Sequence, residues 1–297
     1  MNIREILRLN EEVHTDAEVG IEIELEGDNL PPGNEVSGYW RREHDGSLRA
    51  QPDSAEFVLR RPLSRADGSR ALRTLQEAFD RHGSTDVDSG RAGVHVHVNC
   101  QQMELHQLAN FMCLYLVMED LLVEYCGHDR VGNLFCLRAV DADFQVTMLQ
   151  QAFEQRDLTL LNTDELRYAS MNVRCLFQYG SVEFRAMRST VDTSVIERWM
   201  DILLSLRDAA MEYEDPSHIM FAISSEGADD FCSRILGEHA EEVIGQGGCE
   251  FEVMQNMRNI QDIAYRVDWE DIKAPKKVIG GLEVPEDWDD DFPPLDL

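Results

Sequence analysis

Acidic and imidazole side chains recur at every second position in two runs of this chain. The first run is Val19-Gly20-Ile21-Glu22-Ile23-Glu24-Leu25-Glu26-Gly27. Read as a strand, it puts Ile21, Ile23 and Leu25 on one face and Glu22, Glu24 and Glu26 on the other. Same-face neighbours on a strand are only about 7 Å apart, so three carboxylates with no interleaved cation repel one another. A divalent cation between them would relieve that repulsion, because hard cations take carboxylate oxygens. The same pattern also fits the wet face of an ordinary antiparallel sheet. The second run, Gly93-Val94-His95-Val96-His97-Val98-Asn99, sets valines against His95, His97 and Asn99. Two further stretches are loaded in the same way: Glu56 in Glu56-Phe57-Val58, and Glu183 with Arg185 in Ser181 to Met187.

Gathered on one face of one sheet, these four stretches would supply carboxylates, two imidazoles and a guanidinium. A solvated sheet face more usually carries Thr, Ser, Lys and mixed charge. Carboxylates with a minority of imidazole suit Mg²⁺ or Mn²⁺, whereas zinc favours more nitrogen and sulfur in a tetrahedral set. Magnesium with a nearby Arg is equipment for handling polyphosphate. The chain has neither G-x-x-x-x-G-K-[ST] nor G-x-G-x-x-G, so the P-loop and Rossmann solutions do not apply.

The elements that would position these residues follow from periodicity. Strands are expected at 19–26, about 38–42, 54–60 and 93–99. Two more, Met171 to Phe177 and Ser181 to Met187, flank a hairpin at Gln178-Tyr179-Gly180. Helical spacing runs through 3–12, 68–81, 102–126, 141–156 and 192–213, with further helices at about 227–236 and 249–264. The 102–126 segment is the most apolar and reads as the core helix behind the sheet. Trp40 reads as core, and Asp45-Gly46-Ser47 as a plain turn. The whole is α+β: a largely antiparallel sheet with helices packed on one face and a charged face on the other.

The 297 residues carry 43% hydrophobic side chains and a formal net charge of −30. That charge argues against general nucleic-acid binding, which needs a basic surface. No apolar run reaches transmembrane length and no signal core opens the chain, so we expect a soluble, cytoplasmic protein with no membrane partner. The seven cysteines are scattered without a C-x-x-C pair, which suits buried thiols. Residues 268–297 are acidic, contain four prolines and read as a tail on a 1–267 body, with a helical part over 192–267.

The ordered set Gly20-Ile21-Glu22-Ile23-Glu24, Trp40 with Asp45-Gly46-Ser47, Glu56 before Arg61-Pro62-Leu63, Ala92-Gly93-Val94-His95-Val96-His97, Arg167-Tyr168 with Asn172, and Val182-Glu183-Phe184-Arg185 resembles the amidoligase family. These are carboxylate–amine ligases with the fold of glutamine synthetase and glutamate–cysteine ligase. The resemblance covers residues 18–200. It implies a curved antiparallel sheet holding ATP and two or more Mg²⁺ (or Mn²⁺) ions. The reaction it implies joins a small-molecule or peptide carboxylate to an amine through an acyl phosphate. Position by position, it makes Glu22, Glu24, Glu56, His95, His97 and Glu183 metal ligands, with His97 also a phosphate contact. It sets Arg185 beside the transferring phosphate, and Arg167 and Asn172 toward nucleotide or substrate. Two other readings stay open on the residues alone: an acidic interaction module that mimics nucleic acid or caps a basic partner, and an inactive metal-binding member of the same fold.

Overall fold

The computed structural model describes residues 1–273 except 15, 50–52, 88 and 143, together with the backbone of 278–279 and 282–283. The strands of its main sheet are β1 (Val19–Asp28), β2 (Trp40–Glu43), β3 (Asp53–Leu59), β4 (Thr85–Asp86), β5 (Gly93–Asn99), β6 (Met171–Asn172) and β7 (Ser181–Arg188). Their order is β2-β3-β1-β5-β7-β6, with β4 on the end of β1, and every pairing is antiparallel. A separate two-residue pair, β8 (Val278–Ile279) and β9 (Leu282–Glu283), lies near the C-terminus.

The helices are α1 (Ile3–Leu7), α2 (Arg65–His82), α3 (Leu105–Cys126), α4 (Gln145–Glu154), α5 (Leu176–Tyr179), α6 (Thr193–Ala210), α7 (Pro216–Glu226), α8 (Ala228–Leu236), α9 (Ala240–Ile244), α10 (Glu250–Arg266) and α11 (Trp269–Lys273). None is long and apolar enough to cross a membrane.

Strict alternation drives the sheet onto the helices. Ile21, Ile23, Leu25, Phe57, Val94, Val96, Val98, Val182 and Phe184 are all buried, each burial contributing about 1.5–3 kcal/mol for a full-sized apolar side chain. Phe184 meets Phe111 of α3 edge-on and Tyr115 of α3 at a tilt, and Phe57 meets Phe79 of α2 edge-on. Helix α3 is apolar on nearly all sides and is covered by α6, α7 and α10. That is the environment expected for a helix without a polar face. Trp40 is core, its Nε1 donating to the Ala71 carbonyl at 2.9 Å.

Three expectations need correction. The 171–177 strand stops after Asn172, because the Asn172 side chain accepts the Arg174 N–H at 3.0 Å and turns the chain away. Helix α5 then replaces the expected hairpin and ends at Gly180, in the left-handed region at φ 69°. The first helix closes at Arg8 rather than residue 12, again through a left-handed cap. Helix α7 was not anticipated, although Asp215 accepts the Ser217 N–H and Pro216 opens the helix.

The cysteines are free, all but Cys175 buried. Residues 268–273, placed in the tail by composition, pack on the body. Trp269 is buried against Phe153, donates to the Ile263 carbonyl at 3.1 Å, and is followed by Lys273, which pairs with Asp215 at 3.1 Å. Trp288 and the rest of the acidic segment lie outside the described residues, apart from the backbone of β8 and β9.

Candidate active site

Register decides which polar side chains meet. In the β1–β5 ladder Glu22 stands opposite His95 and Gly20 opposite His97. In β1–β3 Glu24 stands opposite Glu56, and in β5–β7 His97 stands opposite Glu183. Because side chains alternate with period two, all these positions share the face turned away from the core. The β5–β7 register then slips: Val96 pairs with Phe184, but Val94 pairs with Met187. One extra residue on β7 forms a bulge, so Arg185 and Ala186 together oppose His95. Bulges re-aim side chains and are common beside active sites. Here the bulge keeps Glu183 and Arg185 on the polar face while returning Met187 to the core, where strict alternation would have exposed it.

His95 is the hub. Its Nδ1 lies 3.3 Å from Glu22 Oε2 and 3.4 Å from Glu183 Oε1, and its Nε2 lies 3.8 Å from Glu24 Oε2. Glu183 also receives the Asn172 amide and the Arg185 Nη1, each at 2.5 Å, and the Cys175 thiol at 3.2 Å. Glu24 accepts the Gly93 N–H at 3.1 Å. One ligand atom from each of Glu22, His97 and Glu183 lies within 4.8 Å of the others. His97 Nε2 is enclosed, faces Glu22 Oε1 at 3.5 Å, and makes no well-formed hydrogen bond among the described residues. An enclosed imidazole nitrogen facing a carboxylate without a well-formed bond is what a divalent cation would satisfy. The donor set therefore fits a hard or borderline cation.

The charges perturb one another strongly. Burial pushes Glu56 up, and Glu22, Glu24 and Asp45 push it further, to about 7. Burial also raises Glu24. Burial pushes Glu22 and Glu183 up as well, yet both end below the ordinary carboxylate range. The neighbouring imidazoles of His95 and His97 outweigh it at Glu22, and the fields of His95, Arg185 and His97 at Glu183. His97 is raised despite its burial, by Glu22 and Glu183. Such opposed shifts within one cluster are typical of functional sites.

The structure thus brings together Glu22, Glu24, Glu56, His95, His97, Glu183 and Arg185. Asn172 joins them, but its amide is spent on Glu183. Arg167 does not reach the cluster. It is exposed, with its guanidinium over the Tyr168 ring, and that ring meets Phe135 edge-on. The Phe135 carbonyl accepts from Arg185 Nε at 3.4 Å, so Arg167 belongs to a rim beyond Arg185. Asp45 was passed over as a turn residue. It does make the turn, accepting the Ser47 N–H at 2.7 Å, and its charge also bears on Glu24 and Glu56. The Asp-Gly signature accounted for the residue fully and so hid its second role. Glu26 is buried and accepts the Arg49 N–H at 2.6 Å, which takes it out of the cluster.

A cavity of about 300 Å³ opens beside the cluster. Glu22, His97, Gly20, Val58, Tyr179 and Arg41 line it. No curated protein matches the chain. The family model described as "Putative amidoligase enzyme" matches residues 33–207, more than half of the chain. The span begins after β1 and contains Glu56, His95, His97, Glu183 and Arg185. The chain belongs to this amidoligase family.

Proposed function

We propose that this amidoligase is an ATP- and Mg²⁺-dependent carboxylate–amine ligase. The observation that carries the reading is the convergence of Glu22, His97 and Glu183 from three neighbouring strands, with Arg185 bonded to Glu183. In the proposed reaction a substrate carboxylate oxygen attacks the γ-phosphorus of ATP and ADP leaves. An amine then displaces phosphate from the acyl phosphate to give the amide.

Glu22, His97 and Glu183 would hold one Mg²⁺ or Mn²⁺, and Glu24 and Glu56 would contribute to a second. Bound there, the ions would neutralise phosphate oxygens and orient them for in-line transfer. The chain's own part is positioning and charge. His95, only 6% exposed at its side chain, spaces Glu22 from Glu183 and keeps both from rotating away. Arg185 stays protonated: Glu183 and Glu24 favour its charge against the cost of burial. Its fork is fixed by Glu183 and the Phe135 carbonyl, so it is ready to meet charge that builds on a moving phosphoryl group without reorganising. The cavity lies at the low end of the range for small-molecule sites. It would seat the carboxylate or amine substrate against Glu22 and His97.

The burial of Glu24 and Glu183 counts against a nucleic-acid mimic, which would display its acids on the outer surface. The deciding experiment is ATP turnover with Mg²⁺ against a library of carboxylates and amines, with mass spectrometry of the products. Amide formation coupled to ADP release is expected. Hydrolysis or turnover without any amide product across the library would reject the ligase reading.

A further inference from the structure

Arg130 is 1% exposed, yet among the described residues no carboxylate pairs with it. It sits in a short turn, His128–Arg130, that follows α3. A buried guanidinium without a counter-ion is costly, so its partners matter. Three are backbone carbonyls, and the Cys136 thiol also lies against the guanidinium. Nε donates to Ala186 O at 2.9 Å, Nη2 to Arg185 O at 3.0 Å and Nη1 to Ala92 O at 3.3 Å. The first two belong to the two residues of the β7 bulge that oppose His95, where the ladder is broken. The third is the oxygen of the Ala92–Gly93 peptide, and the N–H of that same peptide donates to Glu24 Oε2 at 3.1 Å. Gly93 leaves room for this arrangement: a Cβ there would lie 3.2 Å from Arg130 Nη2.

We infer that Arg130 is a positioning residue: it clamps the β7 bulge behind Arg185 and, through the Ala92–Gly93 peptide, fixes and polarises the N–H that holds Glu24. A guanidinium on a peptide oxygen makes the N–H of that peptide a better donor, because chains of hydrogen bonds polarise one another. Only a planar five-donor fork reaches three carbonyls at once; a lysine ammonium keeps the charge but not the geometry. The consequence for metal binding rests on the ligand role proposed for Glu24. The geometry does not.

Ala92-Gly93 is the one Ala-Gly step in the sequence. Full-length protein labelled with ¹³C-carbonyl alanine and ¹⁵N-glycine therefore gives a single peak linking the Ala92 carbonyl to the Gly93 amide. In Arg130→Lys we expect the carbonyl carbon and the amide proton both to move upfield, while Arg167→Lys moves neither. Glu24→Gln perturbs the other end and guards against a misfolded Arg130 variant. It should move the proton upfield, with the carbonyl following. An amide proton that stays fixed in folded Arg130→Lys, or in Glu24→Gln, overturns the proposal. Calorimetric Mg²⁺ titration adds the functional arm. Arg130→Lys should lose about 10- to 100-fold in affinity, the range seen when supports of metal ligands are removed. Unchanged affinity alongside a lowered melting temperature would reduce Arg130 to a purely structural role. Wild-type protein that binds no Mg²⁺ would sink the ligase reading instead, and the peptide peak would still decide the clamp.

Discussion

Glu24 and Glu56 stand directly opposite each other in the β1–β3 ladder. Like charges at that separation destabilise a sheet, and burial with the neighbouring Glu22, Glu24 and Asp45 carries Glu56 to about 7. A carboxylic acid raised above its ordinary value of 4.5 is favoured protonated in the fold. Its contribution to the stability of the metal-free protein is therefore undiminished below the ordinary value and is lost as pH rises through about 7.

Metal binding should reverse that loss, because a cation needs Glu56 ionised. Mg²⁺ affinity is expected to rise with pH through about 7 and then level off, with a proton released on binding. Calorimetry in two buffers of different ionisation enthalpy measures the release directly. Glu56→Gln should reduce it and soften the fall in melting temperature between about pH 5 and 8, the remainder coming from Glu24 and His97, which are also raised. Affinity that does not vary with pH in the wild type would remove Glu56 from the ligand set.

Gly20 gives access to the cavity, next to His97 but away from its ring nitrogens. A Cβ at that position would meet only His97 Cβ and Cγ, at 3.5 and 3.9 Å, which is ordinary contact. Its backbone suits a β-branched residue, since it lies within strand β1. Gly20→Val should fold normally and bind Mg-ATP like the wild type, but raise KM for the co-substrate that occupies the cavity by about tenfold or more, since overpacking a fitted site costs about 1–3 kcal/mol. Steady-state kinetics with each substrate varied in turn identifies which one. Unchanged KM values for both would place substrate binding elsewhere.

What the sequence made legible, and what it did not, follows from where the signal lies. Glu22, His95, His97 and Glu183 could be grouped because each alternates with apolar residues that must face the core, and one buried face fixes the other. The bulge that turns Met187 into the core had no signal, because a single inserted residue reverses the phase without leaving any mark in composition. Arg130 was invisible for a different reason. Its hydrogen bonds to β7 and Ala92 go to backbone carbonyls, which every residue has, so no spacing or pairing of side-chain types could indicate them. Strand β6 was overextended because the Asn172 side chain that ends it looked equally suited to a substrate contact.

Trp269 fixes how far the packed body extends. Its ring lies 5.8 Å from that of Phe153 on α4, and its Nε1 caps the Ile263 carbonyl of α10. Trp269→Ala should cost about 3–5 kcal/mol, the range for removing a large buried aromatic. Urea unfolding followed by circular dichroism reads that loss. A cost under about 1 kcal/mol, typical of exposed positions, would return residues 268–273 to the tail.

The sharpest division of labour is between Arg185 and Glu22. Arg185 touches Glu183 and His95 and so borders the candidate ligand atoms, whereas Glu22 supplies one of them. Arg185→Lys keeps the charge that balances buried Glu183, so the fold and Mg-ATP binding should survive. It loses the planar fork, and kcat for amide formation should fall about 10²- to 10³-fold, the scale measured for one preorganised donor to developing charge. Glu22→Gln retains shape but removes an anionic ligand held well below its usual pKa, so metal binding itself should weaken. Mg-ATP titration beside product assays separates the two. Arg185→Lys turning over like wild type, or Glu22→Gln binding metal undiminished, would mean the roles are assigned to the wrong residues.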